Sequence, residues 1–236
     1  MFLWSLFACQ GSLSVPDCDD STETACFRGA FRTLLGSPVE EVEVCAPDYP
    51  ELGCVLSDPE GGWKLPGFPL DSNVHLTAIH PDYVPSLFPQ HTSMAWYDWY
   101  KVAIPTSVMQ TNANQLDVEL DATKGQLLFL VWEGLNIDGI DTANVSDVLA
   151  TTTDQVEHLF YGNALNLASA GLSATSGSGS GGVLNVPPGE LRLQLEAPAG
   201  PCAEEHMFHY QAENGAIPIP IRAGFTTAID VICPVN

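Results

Sequence analysis

Leu191-Arg192-Leu193-Gln194-Leu195-Glu196 alternates apolar and polar residues without a break. Successive side chains of an extended chain point to opposite faces, so this pattern puts three leucines in a core and their neighbours in water. Glu41-Val42-Glu43-Val44 repeats it. Leu127 to Trp132 is apolar throughout, as a strand covered on both faces would be. Ile217-Pro218-Ile219-Pro220-Ile221 alternates too, but its prolines have no N–H to give a ladder, which predicts an edge strand. Turn signals punctuate these runs at Gly36-Ser37-Pro38, at Asp58 to Gly62 and at Pro187-Pro188-Gly189. One stretch reads as helix, from Ser107 to Leu116, with Thr106 as its cap after Pro105. Many short strands and a single helix predict an all-β fold of two sandwiches, not a βαβ one.

Composition narrows the partners. The 236 residues hold 7 Lys+Arg against 29 Asp+Glu, a formal net charge of −22, with 45% apolar residues. Packed cores are within reach of that apolar fraction. Binding a phosphate backbone needs clustered cations. Here Arg28, Arg32, Lys64, Lys101, Lys124, Arg192 and Arg222 lie scattered. Nucleic acid is therefore excluded as a partner, and so is charge-driven binding to an anionic membrane. An acidic surface attracts divalent cations or basic partners instead.

The cysteines point to export. Six of the seven, Cys18, Cys26, Cys45, Cys54, Cys202 and Cys233, form an even set with near neighbours in sequence. Six allow fifteen pairings, of which Cys18–Cys26, Cys45–Cys54 and Cys202–Cys233 are local. Cys45 and Cys54 flank a Pro-containing loop between strand-like runs, where a bridge would close a hairpin base. No CxxC spacing occurs, which disfavours zinc and thioredoxin-like readings. Disulfides persist in oxidising compartments, so an extracytoplasmic protein is expected. No segment approaches the ~20 apolar residues of a membrane span. The seventh cysteine ends Met1-Phe2-Leu3-Trp4-Ser5-Leu6-Phe7-Ala8-Cys9. A Leu three before the Cys and a small residue just before it resemble a bacterial lipoprotein signal. That resemblance implies lipidation of Cys9, a membrane partner through the N-terminal lipid, and an outer-membrane or periplasmic location. The apolar stretch is short for a signal core, which places the expected start of translation upstream.

The first half resembles the carboxypeptidase regulatory-like domains, which are transthyretin-like (prealbumin-like) sandwiches. The resemblance rests on Gly36-Ser37-Pro38-Val39, a strand from Val42 to Cys45, and Ser57-Asp58 with Gly61-Gly62. It continues through Trp63, Leu65-Pro66-Gly67, a strand from Val74 to Ala78, and Tyr83-Val84-Pro85. Where that pattern has a small Gly-Ala pair, this chain has Glu40-Glu41, and Asp82 replaces a late glycine. The second half resembles a divergent copy, through Lys124-Gly125, Phe160-Tyr161 and Val186-Pro187-Pro188-Gly189. The resemblance implies two tandem Ig-like or prealbumin-like sandwiches joined by a short helical linker. The expected units are 1–26 (signal remnant and acidic tether), 27–104, 105–117 (linker helix) and 118–236. It also implies a non-catalytic module with binding or structural roles and no catalytic residues.

Several clusters carry residue types suited to chemistry. His206 and His209, after Glu204-Glu205, would point to opposite faces of a strand but share one side of a helical turn. The HExxH order is missing, so surface histidines are expected. Asp138, Asp141, Asn144 and Asp147 offer hard oxygens for calcium without EF-hand spacing, and an acidic solvated turn is expected there. Trp96, Tyr97, Trp99 and Tyr100 could stack on sugars or anchor a protein partner. Packing between the halves is the plainer expectation. Ser176 to Gly182 lacks the G-x-S-x-G elbow and reads as a flexible Gly/Ser loop. The sequence thus leads to a non-catalytic envelope protein that needs no cofactor. The alternative is a calcium- or carbohydrate-binding adhesion module, and an accessory domain of a hydrolase system ranks below both.

Overall fold

A computed structural model describes residues 18, 23–92, 96–133, 144–153, 156–202 and 215–234, with side chains described throughout except at 96–100. Strands account for 51% of the chain and helix for 7%, which settles the all-β class. In the first half the strands are β1 (Thr24–Arg32), β2 (Glu43–Cys45), β3 (Cys54–Leu56), β4 (Gly62–Pro69), β5 (Asn73–Ile79), β6 (Ser86–His91) and β7 (Trp96–Val102). Helix α1 (Thr106–Gln115) follows. The second half holds β8 (Gly125–Trp132), β9 (Leu149–Thr152), β10 (His158–Gly162), β11 (Ala168–Ser169), β12 (Ser180–Val186) and β13 (Gly189–Ala197). It ends with β14 (Gly200–Pro201), β15 (Ile217–Ile221) and β16 (Thr226–Ile232).

The alternations land where the pleat requires. Leu191, Leu193 and Leu195 are buried with Leu127, Phe129, Val131, Ile219 and Ile229 in one core. Val42 and Val44 are buried in another, with Phe27, Phe31, Trp63, Leu65, Phe68, Leu76 and Phe88. Burying one such side chain contributes about 1.5–3 kcal/mol. Ring pairs add geometry: Phe27 meets Phe68 edge-on at 5.1 Å, and Phe31 stacks with Trp63 at 6.0 Å. A third cluster seats Met109 and Ala113 of α1 against Phe160, Ala168 and Leu184. The residue at the helix cap is Pro105, in extended backbone and with no side-chain cap bond, so Thr106 is the first helical residue and not the cap expected of it.

Each half closes the same way. The last strand of the first, β7, lies parallel to its first, β1, over Cys26↔Trp96 to Arg32↔Val102. The last strand of the second, β16, lies parallel to β8 over Thr226↔Gln126 to Ile232↔Trp132. The first half's remaining ladders, β1–β4, β2–β3, β2–β5 and β5–β6, are antiparallel. β16 also pairs with β6 at Thr226↔Ser86 and Thr227↔Leu87. That contact joins strands of both halves into one nine-stranded sheet, β11-β10-β12-β8-β16-β6-β5-β2-β3.

Local expectations meet mixed outcomes. β15 pairs with β13 alone, setting Pro218 against Arg192 and Pro220 against Glu190, an edge position as its prolines demand. β8 is fully covered on one face only: Leu127, Phe129 and Val131 are buried, while Leu128, Leu130 and Trp132 are half-buried. The Gly/Ser run is not a flexible loop. Ser180 to Gly182 belong to β12, and Ser178 and Ser180 are buried. Their hydroxyls stay satisfied in a chain. Ser176 Oγ donates to Gly162 O at 2.6 Å, and Ser178 Oγ lies 3.1 Å from Ser176 Oγ and 2.9 Å from Ser180 Oγ. At Glu41, where the resemblance called for a small residue, φ is +59°, a left-handed conformation that costs a Glu more than a Gly.

The cysteines pair as 18–26, 45–54 and 202–233, with Cα–Cα distances of 5.5, 4.4 and 4.1 Å. These distances suit or narrowly undercut the usual bridge span. Cys45 and Cys54 are direct partners across the β2–β3 hairpin.

Candidate functional site

Beside the turn from β5 to β6 a small, open crevice is lined by Phe31, Val42, Ala78, Phe88, Val102 and Ala103, together with His80, Tyr83, Val84 and Ser86. The rings of His80 and Tyr83 lie 5.0 Å apart. His80 Nδ1 accepts the Asp82 N–H at 3.1 Å, and Ser86 Oγ donates to Val84 O at 3.1 Å. Both groups are thus spent on local backbone, so the crevice is an apolar recess with no acid–base relay between them.

The two halves of the chain meet through a second cluster. Lys101, on β7, forms an ion pair with Asp230 on β16, and their side chains are 11% and 34% exposed. The second Asp230 oxygen accepts the Trp132 indole N–H at 3.2 Å. Lys101 Nζ also lies 5.8 Å from the centre of the Phe88 ring. Sequence reading missed this junction, because 129 residues separate the pair. Its only local signal is a carboxylate in Ala228-Ile229-Asp230-Val231, where the alternation expects a half-buried residue.

Other polar clusters hold structure together. Asp48 Oδ2 accepts both the backbone N–H of His75 at 3.1 Å and its ring nitrogen at 2.6 Å, tying the Cys45–Cys54 loop to β5. Ser57 Oγ, buried, donates to Val39 O at 2.8 Å and accepts from Val42 N at 2.9 Å. Asp121 Oδ1 accepts the Thr123 hydroxyl at 2.6 Å and its N–H at 2.8 Å. Those two bonds, the hydroxyl first, hold its carboxyl below the usual range, with Lys124 adding a smaller pull the same way. Glu43, Cys45 and Cys54 converge as three potential metal ligands, but both sulfurs are committed to a disulfide.

Of the residues singled out from sequence, Cys9, Asp138, Asp141, His206 and His209 lie outside the described residues. Trp96, Tyr97, Trp99 and Tyr100 form the backbone of β7, and their side chains lie outside the description. Asp147 sits in a turn at φ +61°, its N–H donating to Thr175 O at 2.8 Å and its carboxylate accepting the Ser146 hydroxyl at 3.0 Å. Among the described residues no helix is long and apolar enough to cross a membrane.

No family profile matches the chain, and no curated protein is similar to it in sequence. Several solved structures are similar to it over most of its length. The Bacillus anthracis TIE protein is 9% identical over 89% of this chain and 34% of its own, with a TM-score of 0.29. A streptococcal ancillary pilin is 11% identical over 92% and 64%, at 0.27. The minor pilin of Streptococcus agalactiae is 14% identical over 90% and 98%, at 0.26. The chain therefore spans about a third of the first protein and just under two thirds of the second. At such values these likenesses carry no functional inference.

Proposed function

We propose that the chain is a non-catalytic, exported envelope protein, lipid-anchored through Cys9, whose two sandwich modules serve structural or binding roles at the cell surface. The observation that carries this reading is the set of three cysteine pairs at bonding distance, which suits an oxidising compartment. The shared closure, first strand beside last in each half, supports reading the chain as two modules with α1 in the segment between them. The polar groups of the crevice are engaged locally, which favours a scaffold over a hydrolase. Metabolic labelling with an alkyne fatty acid in a Gram-negative host tests the anchor. Label on the parent and none on Cys9→Ser is expected. An unlabelled parent, or equal label on both, would sink it.

A further inference from the structure

A strand pair resists pulling according to where its ends are held. When both ends lie on the same side, the ladder opens one bond at a time. When they lie on opposite sides, the strands slide along each other and every bond is loaded together. Parallel first and last strands give the second case: chain enters at the head of one strand and leaves at the tail of the other.

Both halves have this property. In the first, chain enters at the Cys26 end of β1 and leaves at the Val102 end of β7, with seven register pairs between. In the second it enters at the Gly125 end of β8 and leaves at the Ile232 end of β16, again with seven pairs. The disulfides sit at the outer ends of this path. Cys26 is both the first residue of the β1–β7 register and the partner of Cys18. Tension arriving at Cys18 therefore passes into the ladder covalently, bypassing the residues between. Cys233 directly follows β16 and is bonded to Cys202, so tension at that end is shared with the segment after β14.

The contact between the halves is built differently. β16 meets β6 through only two register pairs, helped by the Lys101–Asp230 ion pair and the packing of Ala228 on the first core. That ion pair, 11% and 34% exposed, is a single side-chain contact beside a two-pair ladder. Just past the end of β6, Thr92 Oγ1 donates to Pro69 O at 2.7 Å, and Pro69 is opposite Thr24 at the head of β1, so β6 and the parallel β16 run counter to β1. The Cys26 and Ile232 ends consequently fall on one side, and tension between them first pries β16 from β6.

We propose that the chain is a tension-carrying spacer in which the seam between the halves opens first and two shear-loaded sandwiches then hold. This deepens the surface-scaffold reading and rests on it for its setting. The test is independent of any cell: single-molecule pulling on the oxidised full chain, with handles at its two ends. For comparison, a second sample carries one handle at the N-terminus and the other at exposed Leu70. Pro69, beside it, is opposite Thr24, so that geometry peels β1 from one end. Sharing load over seven pairs rather than one predicts a higher rupture force end to end than in the peeling geometry. An early low-force opening is also expected, weakened by Lys101→Met, which removes the seam ion pair and leaves the Asp230–Trp132 bond in place, while the later rupture forces keep their values. Equal forces in the two geometries would overturn the shear assignment. A Lys101→Met change that lowers the high-force ruptures would overturn the seam-first order. A chain found unlipidated in cells would remove the anchored setting and leave this mechanical result standing.

Discussion

A single added methyl group at Gly181 separates the packed-strand account of the Gly/Ser run from a flexible-loop account by sign. Gly181 lies directly across from Phe129 in the β12–β8 ladder. A Cβ there would stand 2.7 Å from Phe129 Cε2 and 2.9 Å from Phe160 O, well inside the 3.4 Å where ordinary contact begins. Phe129 is 1% exposed among core residues, so its ring has no free space to swing into. Overpacking of this kind costs about 1–3 kcal/mol. Alanine is itself better than glycine in a strand by roughly 0.5–1 kcal/mol. The net expectation for Gly181→Ala is a loss of about 0.5–2 kcal/mol, or about 1–8 °C in melting temperature at this chain length. In a flexible loop the same change would raise stability by about 0.4–1 kcal/mol, through the unfolded chain's entropy. Urea titration of the oxidised protein reads the difference as a shift in midpoint at constant slope. In a Phe129→Leu background the penalty should shrink, with a coupling of about 0.5 kcal/mol or more. A Gly181→Ala protein as stable as its parent, or an unchanged penalty beside Leu at 129, would refute the packing.

The remaining predictions concern the covalent and ionic supports. Replacing both Cys45 and Cys54 by serine opens a loop of sequence separation 9 and should cost about 2.5 kcal/mol. Opening Cys202–Cys233, at separation 31, should cost about 3.5 kcal/mol, and calorimetry without reductant checks the order. Asp121 has a folded pKa lowered from 3.8, so its contribution is present above that value and is lost as pH falls through the folded one. Asp121→Asn should therefore be less stable than the parent at neutral pH. The two should converge in acid, as pH-dependent melting curves would show.

Much of this molecule was legible before any coordinates. Period-two runs such as Leu191 to Glu196 specify a strand and its buried face, because a pleat has no other way to sort alternating residues. Pro218 and Pro220 specify an edge, because a missing N–H cannot be tolerated inside a sheet. Of the fifteen pairings an even count of six leaves open, the structure takes the three local ones, which meet at the least cost in chain entropy. The Gly/Ser run was misread because glycine signals both freedom and closeness. Only the aromatic rings of Phe129 and Phe160, brought from other strands, distinguish the two. The Lys101–Asp230 pair and the β16–β6 seam were beyond local reading for the same reason. Residues more than a hundred positions apart carry no shared period or spacing, and their meeting is decided by which sheet edges the folded cores leave uncovered. What the sequence by itself determined is the all-β class, the buried faces of its alternating runs and an even, locally spaced set of cysteines. What only the tertiary structure decided is that strands from both halves of the chain share one sheet, since that depends on how distant surfaces fit.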